Sequence, residues 1–206
     1  MKKIIALTST VKKELSKYVD VTYLVRFLVF LTAIYSFNYI YCGLIDPGGM
    51  LYSSFLDNHL NYVSFVRKSI LYGSDTINHL IGINTYVVLP DTIKAPDGYY
   101  VYLWYICLGL GLTSFWLAFV LAHKQNLRKK IAWAIGGTIS LWLINVLRVT
   151  MLIIAHVQHW RINTSIDHHT QFNIVAYALI FLMIRMYVKT SKNEKDGTEN
   201  FSLGSA

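Results

Sequence analysis

The strongest constraint on this chain is an unbroken apolar run from about Tyr23 to Leu44. It is long enough to cross the hydrocarbon core of a bilayer, which takes about 20 helical residues. Three more apolar runs follow, at about 103–122, 131–157 and 172–188. A backbone in lipid has to satisfy its own hydrogen bonds, so runs of this length predict helices. Composition agrees: the 206 residues are 54% hydrophobic and only 15% charged, with mean hydropathy +0.41. A soluble domain usually carries about a quarter charged residues. These values argue against a soluble enzyme and exclude a disordered chain, a collagen and a coiled coil. The expected fold is an all-α integral membrane protein of about four transmembrane helices, with an amphipathic-helix and short β-hairpin insertion on the outer face.

The net charge of +8 would point to nucleic acid in a soluble protein. Here the basic residues flank the apolar runs, so they read as orientation signals and no nucleic-acid partner is expected. Lys2, Lys3, Lys12, Lys13, Lys17 and Arg26 precede or open the first run. Lys124, Arg128, Lys129 and Lys130 lie between the second and third, and Arg185, Lys189, Lys192 and Lys195 end the fourth. Four spans with both termini in the cytoplasm satisfy all three groups. Residues 46–102 and 158–171 then lie outside, where the tyrosines around 99–105, Trp104 and Trp160 would form an aromatic belt. Residues 1–20 read as a basic cytoplasmic segment, since the apolar patch Ile4–Leu7 is too short for a signal peptide. Residues 21–189 read as one transmembrane domain, and 190–206, rich in polar residues, as a disordered cytoplasmic tail. The expected location is the cell (cytoplasmic) membrane, in contact with its lipids.

Between the first two runs the pattern changes. Leu60, Val63, Val66 and Ile70, then Ile77, Leu80 and Ile81, recur at helical spacing. Asn61, Arg67, Lys68, Asp75 and Asn78 interrupt them, which predicts one or two amphipathic helices. Thr85–Leu89, Thr92–Lys94 and Tyr99–Tyr102, separated by Pro90-Asp91 and Asp97-Gly98, predict a hairpin or three-stranded flap.

Three residues stand out chemically. Cys107 falls near the outer end of the second run, and taken alone a single thiol reads more readily as a small core hydrophobe than as a functional group. Arg148 sits within the third run, where an arginine is expensive and points to function unless it snorkels to the headgroups. Asn145 lies one turn earlier on the same face. The segment His156…His159…Asp167-His168-His169 is histidine-rich, but lacks the His-Glu-x-x-His pattern of a metalloprotease. The topology brings Cys107, Arg148 and the 168/169 histidines to one membrane face. A cation or imidazole favours a thiolate, an imidazole can serve as base and then acid, and a guanidinium can hold developing negative charge. That constellation is an acyl-transfer site in outline.

At this point the stretch from about Tyr99 to Tyr187 resembles the exosortase/archaeosortase family of multi-pass membrane transpeptidases. Cys107-Leu108-Gly109 is similar to the family's Cys-x-Gly at the start of a span. Asn145-Val146-Leu147-Arg148 is similar to its Asn-x-x-Arg, and His169-Thr170-Gln171-Phe172-Asn173 falls at the histidine that opens its last span. Leu108 stands where the family often has serine, Asn173 where it often has glycine, and four spans are fewer than many members have. The resemblance implies a membrane cysteine peptidase or transpeptidase without a cofactor or metal. Cys107 would be the nucleophile, Arg148 the electrostatic stabiliser and His169 the general base and acid. His168 is the alternative to His169, and Asn145 and Asn173 are supporting residues. The implied substrates are exported proteins with a C-terminal motif, apolar helix and basic tail, and the implied acceptor is a lipid- or polysaccharide-linked nucleophile.

Two other function classes compete. The His156, His159, His168 and His169 cluster could serve a membrane haem or metal carrier. Arg148 could instead pair with a carboxylate of a membrane partner in a non-catalytic complex. The remaining polar residues have plainer readings. Cys42 reads as packing, Asp75 and His79 as a surface pair, His123 as part of the basic inner loop, and Asn163-Thr164-Ser165 as a short sequon match. His156 and His159 read as cavity-lining or solvated, with residue 159 near the helical face of Arg148.

Overall fold

The computed structural model describes residues 20–49, 51–159 and 174–190. It is mostly helical. Helix α1 spans Val21–Ile45, and Asp20 caps it by accepting the amide N–H of Thr22 at 3.0 Å and of Tyr23 at 3.3 Å. It is apolar on every face, and only Ile45 is buried. Side chains such as Val29, 61% exposed, and Ile40, 55% exposed, point away from the protein. In water such a helix would seek cover, whereas lipid accepts it as it is. The turn at Asp46-Pro47-Gly48-Gly49 ends it, with the Gly49 N–H donating to the Asp46 carbonyl at 2.8 Å.

The amphipathic segment forms two helices, α2 at Ser54–His59 and α3 at Tyr62–Leu80. The buried face of α3 comprises Val63, Arg67, Ile70, Leu71, Ser74 and Asn78. This corrects the polarity expected from the sequence. Arg67 and Asn78, read as interruptions, lie on the buried face, while Leu60, Leu80 and Ile81 are exposed. The periodicity that counts runs from Val63 through Arg67 to Ile70 and Leu71, one helical stripe.

Strands β1 (Tyr86–Val88), β2 (Thr92–Lys94) and β3 (Tyr100–Tyr102) form an antiparallel meander, so the expected flap has three strands. Val87 opposes Ile93, which opposes Val101. Ile93 and Val101 face inward, while Tyr100 and Tyr102 alternate outward. Thr85 donates its hydroxyl to Asp75 at 2.6 Å and Asp75 lies 3.7 Å from His79, so this pair also ties the flap to α3.

A 3-10 turn at Tyr105–Leu108 leads through Gly109 into α4 (Leu110–Ala122). The second run therefore does not become helical at 103 as expected. The Leu103 amide still donates to the Asp91 carbonyl at 2.8 Å, and the left-handed Gly109 separates turn from helix. Helix α5 runs Leu127–Val157, capped by Asn126, and begins four residues before the apolar run. Helix α6 covers 174–190. Among the described residues three segments are long and apolar enough to cross a membrane: Val21–Ile45, Tyr105–Ala122 and Leu127–Val157. Residues 172 and 173 of the fourth expected span lie outside the described residues, and 174–190 alone falls short of a crossing of about 20 residues.

Two clusters hold these elements together. One joins α3, α5 and the flap through Ile70, Leu71, Ile93, Val146, Val149 and Ile153. The other joins α4, α5 and α6 through Trp116, Phe119, Leu141, Ile180, Met183 and Tyr187. Polar contacts stitch the helices. Ser74 and Thr150 share a buried hydrogen bond of 3.0 Å, and Trp142 donates to Ser69 at 2.9 Å across α3 and α5. Tyr62 donates to Asn38, which donates to Ser114 at 2.8 Å, linking α3, α1 and α4. His123 packs its ring 4.4 Å from Tyr23, 4.7 Å from Phe119 and 5.0 Å from Tyr187. Burial pushes its imidazole below the ordinary 6.5, with Lys130 adding to the effect. It thus opens the connection between α4 and α5 and is packed there among aromatic rings.

Candidate functional site

Cys107 is the third residue of the 3-10 turn, its amide donating to the Trp104 carbonyl at 2.9 Å. Leu108 beside it is buried and anchors the turn. Gly109 closes the turn at φ +70°, a conformation that suits glycine, and caps α4. A Cβ at this position would lie 2.6 Å from Nδ2 of Asn145, so the glycine also lets α5 approach. Asn145 is held in place by donating to the Leu141 carbonyl at 3.0 Å.

Helix α5 faces two ways. Val146, Val149 and Ile153 enter the cluster with α3. Leu141, Asn145 and Arg148, at spacings of four and three, line a cavity on the other side. Arg148 Nη2 donates toward Cys107 Sγ at 3.8 Å, and both side chains are half-buried. The long, polarisable contact sets a positive charge beside the sulfur. The cavity holds about 1110 Å³ and lies between α1, the turn, α4, α5 and α6. Its walls are mainly apolar, with Asn38, Cys42, Cys107, Asn145, Arg148 and Tyr177 among them. A thiol beside a guanidinium at the wall of an apolar cavity is suited to nucleophilic chemistry on a carbonyl whose oxygen gathers charge.

Cys107, Arg148 and Asn145 therefore meet. His168, His169 and Asn173 lie outside the described residues. His156 is not on this cavity. Its Nε2 lies 2.9 Å from Asp97 Oδ2, and its ring stacks on Tyr99 at 3.8 Å and 8°. The Tyr99 N–H, and after it His156, holds the Asp97 carboxyl below its ordinary range. His159 follows the helix end at φ +51°, so a helical alignment with Arg148 does not extend to it. Among the described residues no three His, Cys, Asp or Glu side chains gather as a metal ion would need.

Two residues near the turn were not singled out from sequence. Arg67 lies over the ring of Tyr105, 4.6 Å from its centroid, and Tyr105 begins the turn that bears Cys107. The signal was the position of Arg67 within the Val63–Leu71 stripe, where a charge has to be buried. Asn38 was hidden inside an apolar run, and its contacts with Tyr62 and Ser114 give it meaning. Comparison of the chain with protein-family models, with curated proteins and with solved structures finds no match.

Proposed function

We propose that this chain is a membrane-embedded cysteine peptidase or transpeptidase of the exosortase type. The observation that carries the reading is the contact of Arg148 with Cys107 at the wall of a large apolar cavity. An arginine in an apolar helix is costly unless it has a task, and here its guanidinium is set beside a half-buried thiol. In this reading α6 completes a fourth crossing, both termini are cytoplasmic, and the turn lies near the outer face.

The substrate is an exported protein whose C-terminal signal joins a short motif to an apolar helix and a basic tail. The apolar cavity suits a segment of that kind. His169 takes the proton of Cys107, and the sulfur attacks the carbonyl carbon of a peptide bond in the motif. The carbonyl electrons move onto oxygen, where Arg148 offsets the charge. The C–N bond breaks as the electrons return, and His169 gives its proton to the departing amine. The product is a thioester on Cys107. An acceptor nucleophile, lipid- or polysaccharide-linked, or water, then attacks the thioester and the thiol is restored.

The test is co-expression with an exported protein carrying such a signal. Cys107→Ala is expected to abolish shortening of the substrate. Arg148→Gln is expected to slow it by about 100-fold, the scale of losing one preorganised charge-stabilising donor. Both variants should remain in the membrane fraction. Normal shortening by the Cys107→Ala protein would overturn the reading.

A further inference from the structure

We propose that Arg67 is a positioning residue for Cys107: stacked on Tyr105, it holds the turn so that the sulfur lies against Arg148. The inference rests on the reading of Cys107 as nucleophile. Arg67 projects from the buried face of α3 and is 9% exposed. Its Nη1 lies 4.0 Å from Asp91 Oδ2, a loose pairing for a charge in such a place. Its Nε is buried without a hydrogen-bond partner. A buried guanidinium so weakly satisfied does not stabilise a fold better than an apolar residue of the same size. The neighbours in its stripe are Val63, Ile70 and Leu71, all apolar. Packing therefore does not account for a charge at position 67.

What Arg67 does have is the face of Tyr105 at 4.6 Å. A cation binds an aromatic ring through its face, so the contact fixes the plane of the ring and not merely its place. Tyr105 starts the turn, and Cys107 is two residues on. Asp91, the ion-pair partner of Arg67, accepts the Leu103 amide at 2.8 Å through its carbonyl, just ahead of the turn. Arg67 thus touches the turn directly at Tyr105 and is linked through Asp91 to Leu103, the residue before Trp104. Helices α3 and α5 are joined by the Ser74–Thr150 and Trp142–Ser69 hydrogen bonds. The two arginines consequently grip one four-residue turn from a common support, Arg67 at its start and Arg148 at the sulfur.

The test uses the full chain in membranes with Cys42→Ala, which leaves Cys107 as the single thiol. The rate of iodoacetamide alkylation at a fixed neutral pH reports the sulfur without any substrate. Arg67→Met is expected to slow it about fivefold, since a displaced sulfur loses its contact with the Arg148 guanidinium. Arg67→Lys, which keeps a cation for the ring, should stay within about twofold of the parent. Arg148→Gln should also slow alkylation, and adding Arg67→Met to it should cost less than about twofold more, because the one acts through the other. Parent-like alkylation in Arg67→Met while Arg148→Gln is slow would overturn the role of Arg67 alone. So would additive losses, or a lysine variant no better than methionine. Faster alkylation in Arg67→Met with a lowered melting temperature would mean an opened fold and would overturn it as well. Alkylation indifferent to Arg148→Gln would contradict the nucleophile reading, and this inference with it.

Discussion

Replacing Gly137 by alanine is expected to destabilise the protein by about 3 kcal/mol or more, the upper end of overpacking effects. A Cβ there would lie 1.9 Å from Nε1 of Trp116 and 2.3 Å and 2.6 Å from two other atoms of the same ring. The ring is fully buried, and its N–H donates to the Trp133 carbonyl at 3.0 Å. It is also packed among Phe119, Trp133 and Tyr187, so it has little room to retreat. Small residues at helix contacts let backbones and large rings come close, which is how membrane helices gain packing energy. Thermal unfolding in detergent measures the loss. Trp116→Leu added to Gly137→Ala should recover part of it, because the smaller side chain vacates the clash. A Gly137→Ala protein that melts with the wild type would contradict the close packing of α4 on α5.

Replacing Gly109 by alanine is expected to affect chemistry as well as stability. The left-handed backbone costs an alanine about 1–2 kcal/mol. The added methyl would also meet Asn145 Nδ2 at 2.6 Å. Asn145 can swing aside only by releasing its bond to the Leu141 carbonyl. The turn would be pushed away from α5, and with it Cys107 from Arg148. The expected result is a loss of about 2–3 kcal/mol in stability, combining strain and displacement. Substrate processing should fall by about tenfold or more, as expected when a reacting group is misplaced by a fraction of an ångström to an ångström. Asn145→Ala in the same chain should relieve the clash but not the backbone strain, so the double variant should be more stable than Gly109→Ala and less stable than Asn145→Ala. Full processing by Gly109→Ala would show that the turn does not need its present geometry.

The apolar runs announced the helical bundle because length and hydropathy act over many residues, and lipid leaves the backbone few options. The flap was legible for a local reason: Pro90-Asp91 and Asp97-Gly98 punctuate short β-prone stretches. What sequence patterning missed was set by single contacts. Arg67 and Asn78 look like polar breaks in a helical pattern, but the stripe they share with Val63 and Leu71 is the buried one. The apolar stretch 103–108 reads as the start of a helix, yet Gly109 in a left-handed conformation and the Leu103–Asp91 bond keep it as a two-residue link and a 3-10 turn. His156 has no sequence neighbour to explain it, and its partner Asp97 lies 59 positions earlier in the chain, in the flap. The meeting of Cys107 and Arg148 was foreseeable only as a shared membrane level. Their 3.8 Å contact depends on Gly109 admitting Asn145, a detail that no pattern of hydropathy records.

The most direct measurement is mass spectrometry of the Cys107 peptide after the full chain has met an exported substrate with a motif, apolar helix and basic tail. A substrate fragment joined to Cys107 through a bond that hydroxylamine releases, and absent from the Cys107→Ala protein, is the expected result. Shortened substrate with Cys107 unmodified throughout, and undiminished in the Cys107→Ala protein, would contradict a thioester at this residue.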